Sequence, residues 1–478
     1  MSKRCERKAG NFLKSGTIGI AGLVLLLGSG LAWAGPPNPT PSDDLGNTAG
    51  GTGALSANTT GALNTAFGDV ALVSNTTGNY NTASGVQALN SNTTGNNNTA
   101  AGINALYNNT EGNSNTASGA FALAGNSTGN ENTAQGSNAL TSNSTGGGNT
   151  ASGFAALQSN TEGSFNTAEG SDALWSNTTG NYNTASGFQA LNSNTEGRLN
   201  TASGADALVG NTTGFLNTAS GAEALFNNTT GFWNTASGGA ALFNNTTGLY
   251  NTASGAEALL NNNTGDGNTA VGVGAGTSNN TGSLNTFIGF DADTNGGSYM
   301  NGTALGFGAQ LTASNTIVLG NNQISAIYAR VPITVISDRR HKKDIRALDA
   351  DLGLDFIEKL KPVAYRFNNG DETERYGFIA QDLEQALPAS LQDTIERSEP
   401  EHGLALIERQ NDQDRTYRVS YGELTAPIVK AIQEQQQEIE AVRHALAAVE
   451  HQVFALKAEN AALRRSIRGQ REQVTAAR

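Results

Sequence analysis

The sequence predicts a mainly β protein: a parallel β-solenoid rod, then a small α+β domain, then a C-terminal coiled coil. Three observations carry this reading. A 17-residue unit, Asn-Thr-Ala-Ser-Gly-x-x-Ala-Leu-x-x-Asn-Thr-Thr-Gly-x-x, recurs without a slip from Asn47 to Asn285, 15 copies in all. A fixed period of this size means stacked coils rather than a globular enzyme core. At Ser337 the composition shifts to charged residues and helix formers. The C-terminal segment then follows an apolar heptad.

Within the repeat, Gly recurs at phase five, from Gly51 to Gly289. That constancy predicts a turn needing positive φ or a close backbone approach. Short strands are expected over the Thr-Ala-Ser and Ala-Leu segments. Asn and Thr at phases one and two are expected to stack as ladders, each side chain bonding its equivalent in the next coil. The apolar constants are two Ala and one Leu per coil. So thin a core predicts that several chains share one interior, as a trimeric rod. Residues 47–297 are assigned to this rod. Beyond them the repeat decays into a neck, 298–336, with strands expected at Asn315–Gly320 and Ile324–Ile336.

The N-terminus reads as an export signal over residues 1–34. Lys3, Arg4, Arg7, Lys8 and Lys14 precede the apolar run Ile18–Leu31, and Ala32-Trp33-Ala34 is a small-x-small cleavage site. Residues 35–46 form a Pro-rich linker. The only cysteine, Cys5, falls inside the signal, so the mature chain has no thiols and is stabilised by stacking and assembly rather than by disulfides. The expected location is secreted or cell-surface, with no membrane span in the mature chain. Net charge is −13, and Arg198 is the one basic residue between Asn47 and Tyr299. Such a rod cannot neutralise a phosphate backbone, which argues against nucleic acid as a partner.

Residues 337–423 mix elements: a helix over Asp349–Leu360, strands over Val363–Phe367 and Tyr376–Ala380, and a helix over Gln381–Leu387. A hairpin is expected to pair Leu404–Glu408 with Thr416–Tyr421. Residues 424–478 form the heptad helix. Ile432, Ile439, Leu446, Val453, Asn460, Ile467 and Val474 fall at position a, and Ile428, Gln435, Val442, Val449, Leu456, Leu463 and Gln470 at d. β-branched residues at both positions favour three strands, and Asn460 at a fixes the register of that trimer.

The chemistry concentrates in Ile336-Ser337-Asp338-Arg339-Arg340-His341-Lys342-Lys343-Asp344-Ile345. A serine becomes a nucleophile when a base lies beside it. A lysine serves as that base when desolvation or neighbouring cations favour its neutral form, and Arg339, Arg340 and Lys343 are such neighbours. The plainer reading is that Ser337-Asp338 caps a turn and the basic run is a solvated face. This stretch, with Gly377-Phe378-Ile379-Ala380-Gln381-Asp382 and Tyr421–Glu434 downstream, resembles the C-terminal intramolecular chaperone domains of endosialidase-type tailspikes and fibres, classed as peptidase S74. The resemblance implies that Ser337 is the nucleophile, Lys342 its general base, and Ile336–Ser337 the bond cut, with Asp338, Arg340, Gly377 and Gln381 as supporting motif. His341 departs from the family pattern, which has Leu there. The repeats are similar, more loosely, to the heads of trimeric autotransporter adhesins, which implies a left-handed parallel β-roll.

Large residues gather at phase ten (Tyr107, Trp175, Phe226, Phe243) and phase seventeen (Tyr80, Phe165, Tyr182, Trp233, Tyr250). They suit packing between chains or contact with surface glycans or another host ligand. Glu111, Glu162 and Glu196 have no second carboxylate at a fixed phase, so no glycosidase dyad is read. The four histidines lack zinc spacing, and neither metal nor cofactor is expected. The function expected is an exported homotrimeric fibre or adhesin-like surface protein. Its C-terminal domain aligns the three chains as an intramolecular chaperone and then cuts itself off, a single-turnover serine–lysine autopeptidase with no external substrate. The rival readings are a phage tail fibre or spike, and a non-cleaving structural or ice- and surface-binding solenoid.

Overall fold

The structure, a computed structural model, describes residues 43–324, 327–328, 330, 337–367, 372–389, 391–392, 406–409 and 417–477. The export signal, most of the linker and Ile336 lie outside them. The repeats form one parallel sheet of 17 strands. β1 (Thr48–Gly50), β2 (Thr65–Phe67) and their successors follow at every repeat to β15 (Thr286–Ile288). Each strand pairs with its neighbour's equivalent residues, as in Ala202↔Ala219. At about 4.8 Å per strand, the 17 strands make a stack about 75 Å long.

Through β14 (Thr269–Val271) each coil has one three-residue strand, and the Ala-Leu segment is not a second one. The reason is backbone conformation. The phase-nine leucines sit at positive φ, as at Leu72 (51°) and Leu208 (54°). A left-handed residue costs about 1–2 kcal/mol, but full burial of a leucine returns about 1.5–3 kcal/mol, and these leucines are wholly buried. Hydrogen bonds between coils also continue around the turns: Leu72 N–H donates to Ala88 O (3.0 Å), Ser74 N–H to Asn90 O (3.1 Å) and Val70 N–H to Thr52 O (2.8 Å). The phase-five glycines meet both expectations. Gly187 has φ +139°, and a Cβ there would lie 2.4 Å from Gly204 O.

The interior closes within a single chain, which corrects the expectation of a shared one. Ala185, Ala190 and Leu191 are fully buried, and so are Asn183 and Asn194 of the same coil. The asparagines complete the core. At phase one, Asn98 N–H and Nδ2 both donate to Asn81 Oδ1 (3.0 and 3.1 Å), and Nδ2 also to Gly112 O (2.8 Å). At phase twelve a second ladder runs, with Asn109 Nδ2 donating to Asn92 Oδ1 (2.8 Å) and Gly112 O (3.0 Å). Buried amides are tolerated because their hydrogen bonds are made. The phase-two threonines instead face outward. Most of the hydroxyls that bridge coils come from phase thirteen, as Thr76 Oγ1 to Thr93 O (2.9 Å).

Both ends of the asparagine ladder are capped. Asp43 accepts from Asn47 N–H (3.0 Å) and Nδ2 (2.9 Å), standing in for the asparagine of a preceding coil. At the other end Gly302 replaces the ladder asparagine, and its N–H still donates to Asn285 Oδ1 (2.8 Å). The stack continues past residue 297, into the segment read as a neck. β16 (Asp293–Thr294) and β18 (Gln310–Leu311) form a short ladder, while β17 (Thr303–Leu305) and β19 (Ile317–Leu319) extend the main sheet. The repeat decays there in side chains, not in stacking. Ile324–Ile336 falls largely outside the described residues.

Two successive coils show how the core keeps its volume. Gly276 stands where the preceding coils have Leu, and Phe287, in the next coil, stands where they have Ala. A Cβ on Gly276 would lie 2.8 Å from the Phe287 ring, and Phe287 is wholly buried. Gly276→Leu should therefore overpack the coil, at a cost of about 1–3 kcal/mol. Phe287→Ala should leave a cavity, at about 3–5 kcal/mol. The double variant restores the regular coil, and urea melts should show it more stable than Phe287→Ala alone.

The C-terminal domain has its own core, built from Leu352, Phe356, Leu383, Leu387, Ile407 and Leu424 among others. The helix expected over Asp349–Leu360 is broken at Gly353 into a 3-10 turn, Ala350–Leu352, and α1 (Leu354–Lys359). β20 (Val363–Tyr365) pairs antiparallel with β21 (Arg375–Gly377), α2 covers Ala380–Ala386, and β22 (Ile407–Arg409) pairs antiparallel with β23 (Tyr417–Val419). The turn of that second hairpin is outside the described residues. α3 (Thr425–Ala476) is one continuous helix of 52 residues. Its first turns dock on α1, and its heptad residues beyond are exposed, Leu446 by 56% and Leu456 by 55%. Among the described residues no helix is long and apolar enough to cross a membrane.

Candidate active site

The site grows from one local turn. Asp338 caps the 3-10 turn Arg339–His341, accepting from Arg340 N–H (2.9 Å). The same carboxylate takes the Arg340 guanidinium in a salt bridge of 2.5 Å. That guanidinium holds the Asp338 carboxyl below the usual carboxylate range, and Asp338 in turn raises Arg340. The turn closes with Lys342 N–H on Arg339 O (3.2 Å). Its ends, five residues apart, are thereby brought together, and Lys342 Nζ lies 2.7 Å from Ser337 Oγ. A hydroxyl and an amine at this separation are within the reach that proton transfer requires. The plainer sequence reading is true as well: Asp338 does cap a turn, and Arg339, Arg340 and His341 are exposed. Arg340 is occupied by Asp338, so it is a weaker cationic neighbour for Lys342 than the sequence suggested.

Ser337 and Lys342 open onto a cavity of about 800 Å³ between the 337–348 segment and the start of α3. Leu348 lines one side, and Glu423, Val429 and Lys430 the other. The sequence marked Tyr421–Glu434 only as the lead into the coiled coil, and its part in the site lies too far along the chain for spacing to show. α3 is fixed here by Glu434, which accepts from Leu354 N–H at the head of α1 (2.7 Å) and from Lys430 Nζ (2.5 Å). A Cβ on Gly353 would collide with the Glu434 carboxylate as it is placed here.

The supporting residues divide. Asp338 and Arg340 shape the turn. Gly377 acts at a distance: a Cβ would lie 2.3 Å from Tyr421 Oη, and that hydroxyl accepts from Phe378 N–H (3.1 Å). Tyr421 precedes Gly422, a wall of the cavity. Gln381 is exposed on the first turn of α2 and does not line the cavity. Asn460 lies exposed far along α3.

Residues 337–391 match the model of the family Peptidase_S74, described as chaperone of endosialidase. The match begins at Ser337, and a chaperone-of-endosialidase domain thus follows the repeat stack. No curated protein sequence matches the chain.

The Glu434 carboxyl is lowered chiefly by its bond from Lys430, and next by Leu354 N–H. A carboxyl lowered in the folded state stabilises above its unfolded pKa, and that stability is lost as pH falls through the folded value. Acidification below about pH 4 should therefore loosen α1 from α3. Glu434→Gln should lower the melting temperature at pH 7 and flatten that acid limb, as measured by thermal melts across pH.

Proposed function

We infer that the chain is an exported, fibre-like protein. Its β-solenoid is the shaft, and its C-terminal domain aligns three copies and then cuts itself free at Ile336–Ser337. The observation that carries this reading is the 2.7 Å contact between Lys342 Nζ and Ser337 Oγ, at the first residue of the family match. The need for a chaperone follows from the repeats. Coils that resemble one another allow chains to pair in many wrong registers, and a domain that assembles first removes that ambiguity. The exposed heptad face of α3, with β-branched residues at a and d, supports a three-stranded coiled coil as the device.

In the cleavage, Ser337 Oγ attacks the carbonyl carbon of Ile336 and the C–N bond to Ser337 breaks. The hydroxyl proton passes through Lys342 to the departing Ser337 amine. Water then opens the ester, leaving a carboxylate on Ile336. Attack by another chain's Ser337 gives the same products. Both side chains are exposed in a single chain, whereas a lysine base must be neutral, a form that desolvation favours. Covering of Lys342 in the assembled trimer is thus the step that starts the reaction and makes assembly irreversible. Intact-mass measurement tests the whole reading: it should find a fragment running from Ser337 to Arg478, and a chain that stays whole would leave the domain as a tether.

A further inference from the structure

A six-coil stretch of the rod carries an apolar stripe. At phase seventeen, Phe165, Tyr182, Leu199, Leu216, Trp233 and Tyr250 follow one another coil by coil. Beside them at phase sixteen lie Phe215, Phe232 and Leu249. Five of these are exposed, by between 46% and 56%. The stripe is bounded. Glu131 and Gly148 precede it, Asp266 and Gly267 follow it, and no acidic residue interrupts it.

The rings already use their faces on one another. Phe165 stacks on Tyr182 with centroids 5.1 Å apart, and Phe215 on Phe232 at 4.6 Å. Trp233 lies against Tyr250 at 5.0 Å, and the Arg198 guanidinium covers Phe215 at 5.2 Å. A sugar ring stacks on an open aromatic face, and Phe165, Tyr182, Phe215 and Phe232 each already have a face against a neighbouring ring. Area points the same way. With about 150–250 Å² per side chain, the five half-exposed side chains leave roughly 400–650 Å² of apolar surface. That is half or more of the ~800 Å² each partner contributes to a standard interface.

Charge identifies the partner. Arg198 is the rod's one basic residue. Among the described residues it makes no ion pair within its own chain, and nor does Glu196, exposed on the same coil. When parallel rods lie side by side in register, the same coil of each copy falls at one level, so Arg198 of one copy meets Glu196 of the next. We propose that this stripe is the contact between rods of two copies of this chain, and that Arg198 against Glu196 sets their axial register. A shift by one coil would separate the two charges and slide part of the stripe against polar coils.

The proposal rests on parallel assembly, as in the proposed function, but it fails separately. Full-length Trp175→Phe protein leaves Trp233 as the reporter once the leader carrying Trp33 is removed. Its sedimentation and acrylamide quenching are measured together. Trp233 should be shielded in the assembled protein, exposed several-fold more in Arg198→Glu, and shielded again in Glu196→Arg/Arg198→Glu. A protein that sediments as a trimer with Trp233 freely quenched overturns the stripe and leaves assembly through α3 standing. A monomer overturns both. Shielding of Trp233 only on adding cello- or chito-oligosaccharides would make the stripe a sugar track, and would also overturn the proposal.

Discussion

Ser337→Ala should stay full length, while the wild-type chain splits after Ile336. The substitution removes the hydroxyl that attacks in this reading, and the Lys342 amine 2.7 Å from it has none left there to activate. Loss should be complete within the sensitivity of intact-mass spectrometry, because a peptide bond does not open unaided at neutral pH on any practical timescale. Lys342→Ala should be equally uncut, since the hydroxyl then has no base within reach. Lys343→Ala is the control. It removes one charge of the basic run but leaves the Ser337–Lys342 contact in place, so it should still be cut. Rods should form in all of these variants, because the coils are held by their own ladders. Equal cutting of wild type and Ser337→Ala would exclude the dyad. Cutting of Lys342→Ala with Ser337 required would mean another group takes the proton.

What the sequence made legible was local or periodic. Ser337 and Lys342 are five residues apart, and one capped turn joins them, so a short motif sufficed to find the pair. The register of the stack was legible because identical residues 17 apart pair with one another. The closed interior was not. Counting apolar residues alone left two alanines and a leucine, while Asn183 and Asn194 are buried just as fully. Asn-Thr-Thr-Gly reads as a turn, and nothing in that composition says the asparagine points inward to bond its predecessor. The same composition hides the left-handed leucines, which are held by burial and by bonds to the neighbouring coils. Nor did the sequence show that α3 walls the cavity. Glu434 reaches Leu354 across 80 residues, a contact that no spacing rule anticipates.

Because the rod's interior needs no second chain, the weight of assembly shifts to α3, and its two parts should be separable. A chain ending after Gln435 keeps Leu424 in the domain core and Glu434 on α1, so the domain should still fold. It loses the seam from Ile439 to Val474, whose apolar side chains find no cover in a single chain. The truncated protein should therefore sediment as a monomer or as misregistered aggregates, where the full chain sediments as a trimer. A 52-residue helix of this pattern has little else to gain from staying apolar along one face. The truncated chain should also remain uncut, although Ser337 and Lys342 keep their contact, because no neighbouring chain arrives to desolvate the amine. Intact mass and sedimentation on the same sample read both outcomes. Soluble, register-matched rods at normal yield would remove the chaperone role. A monomer that cuts itself as fast as the full chain would show that the pair is active without assembly, and the timing of cleavage would then need another cause.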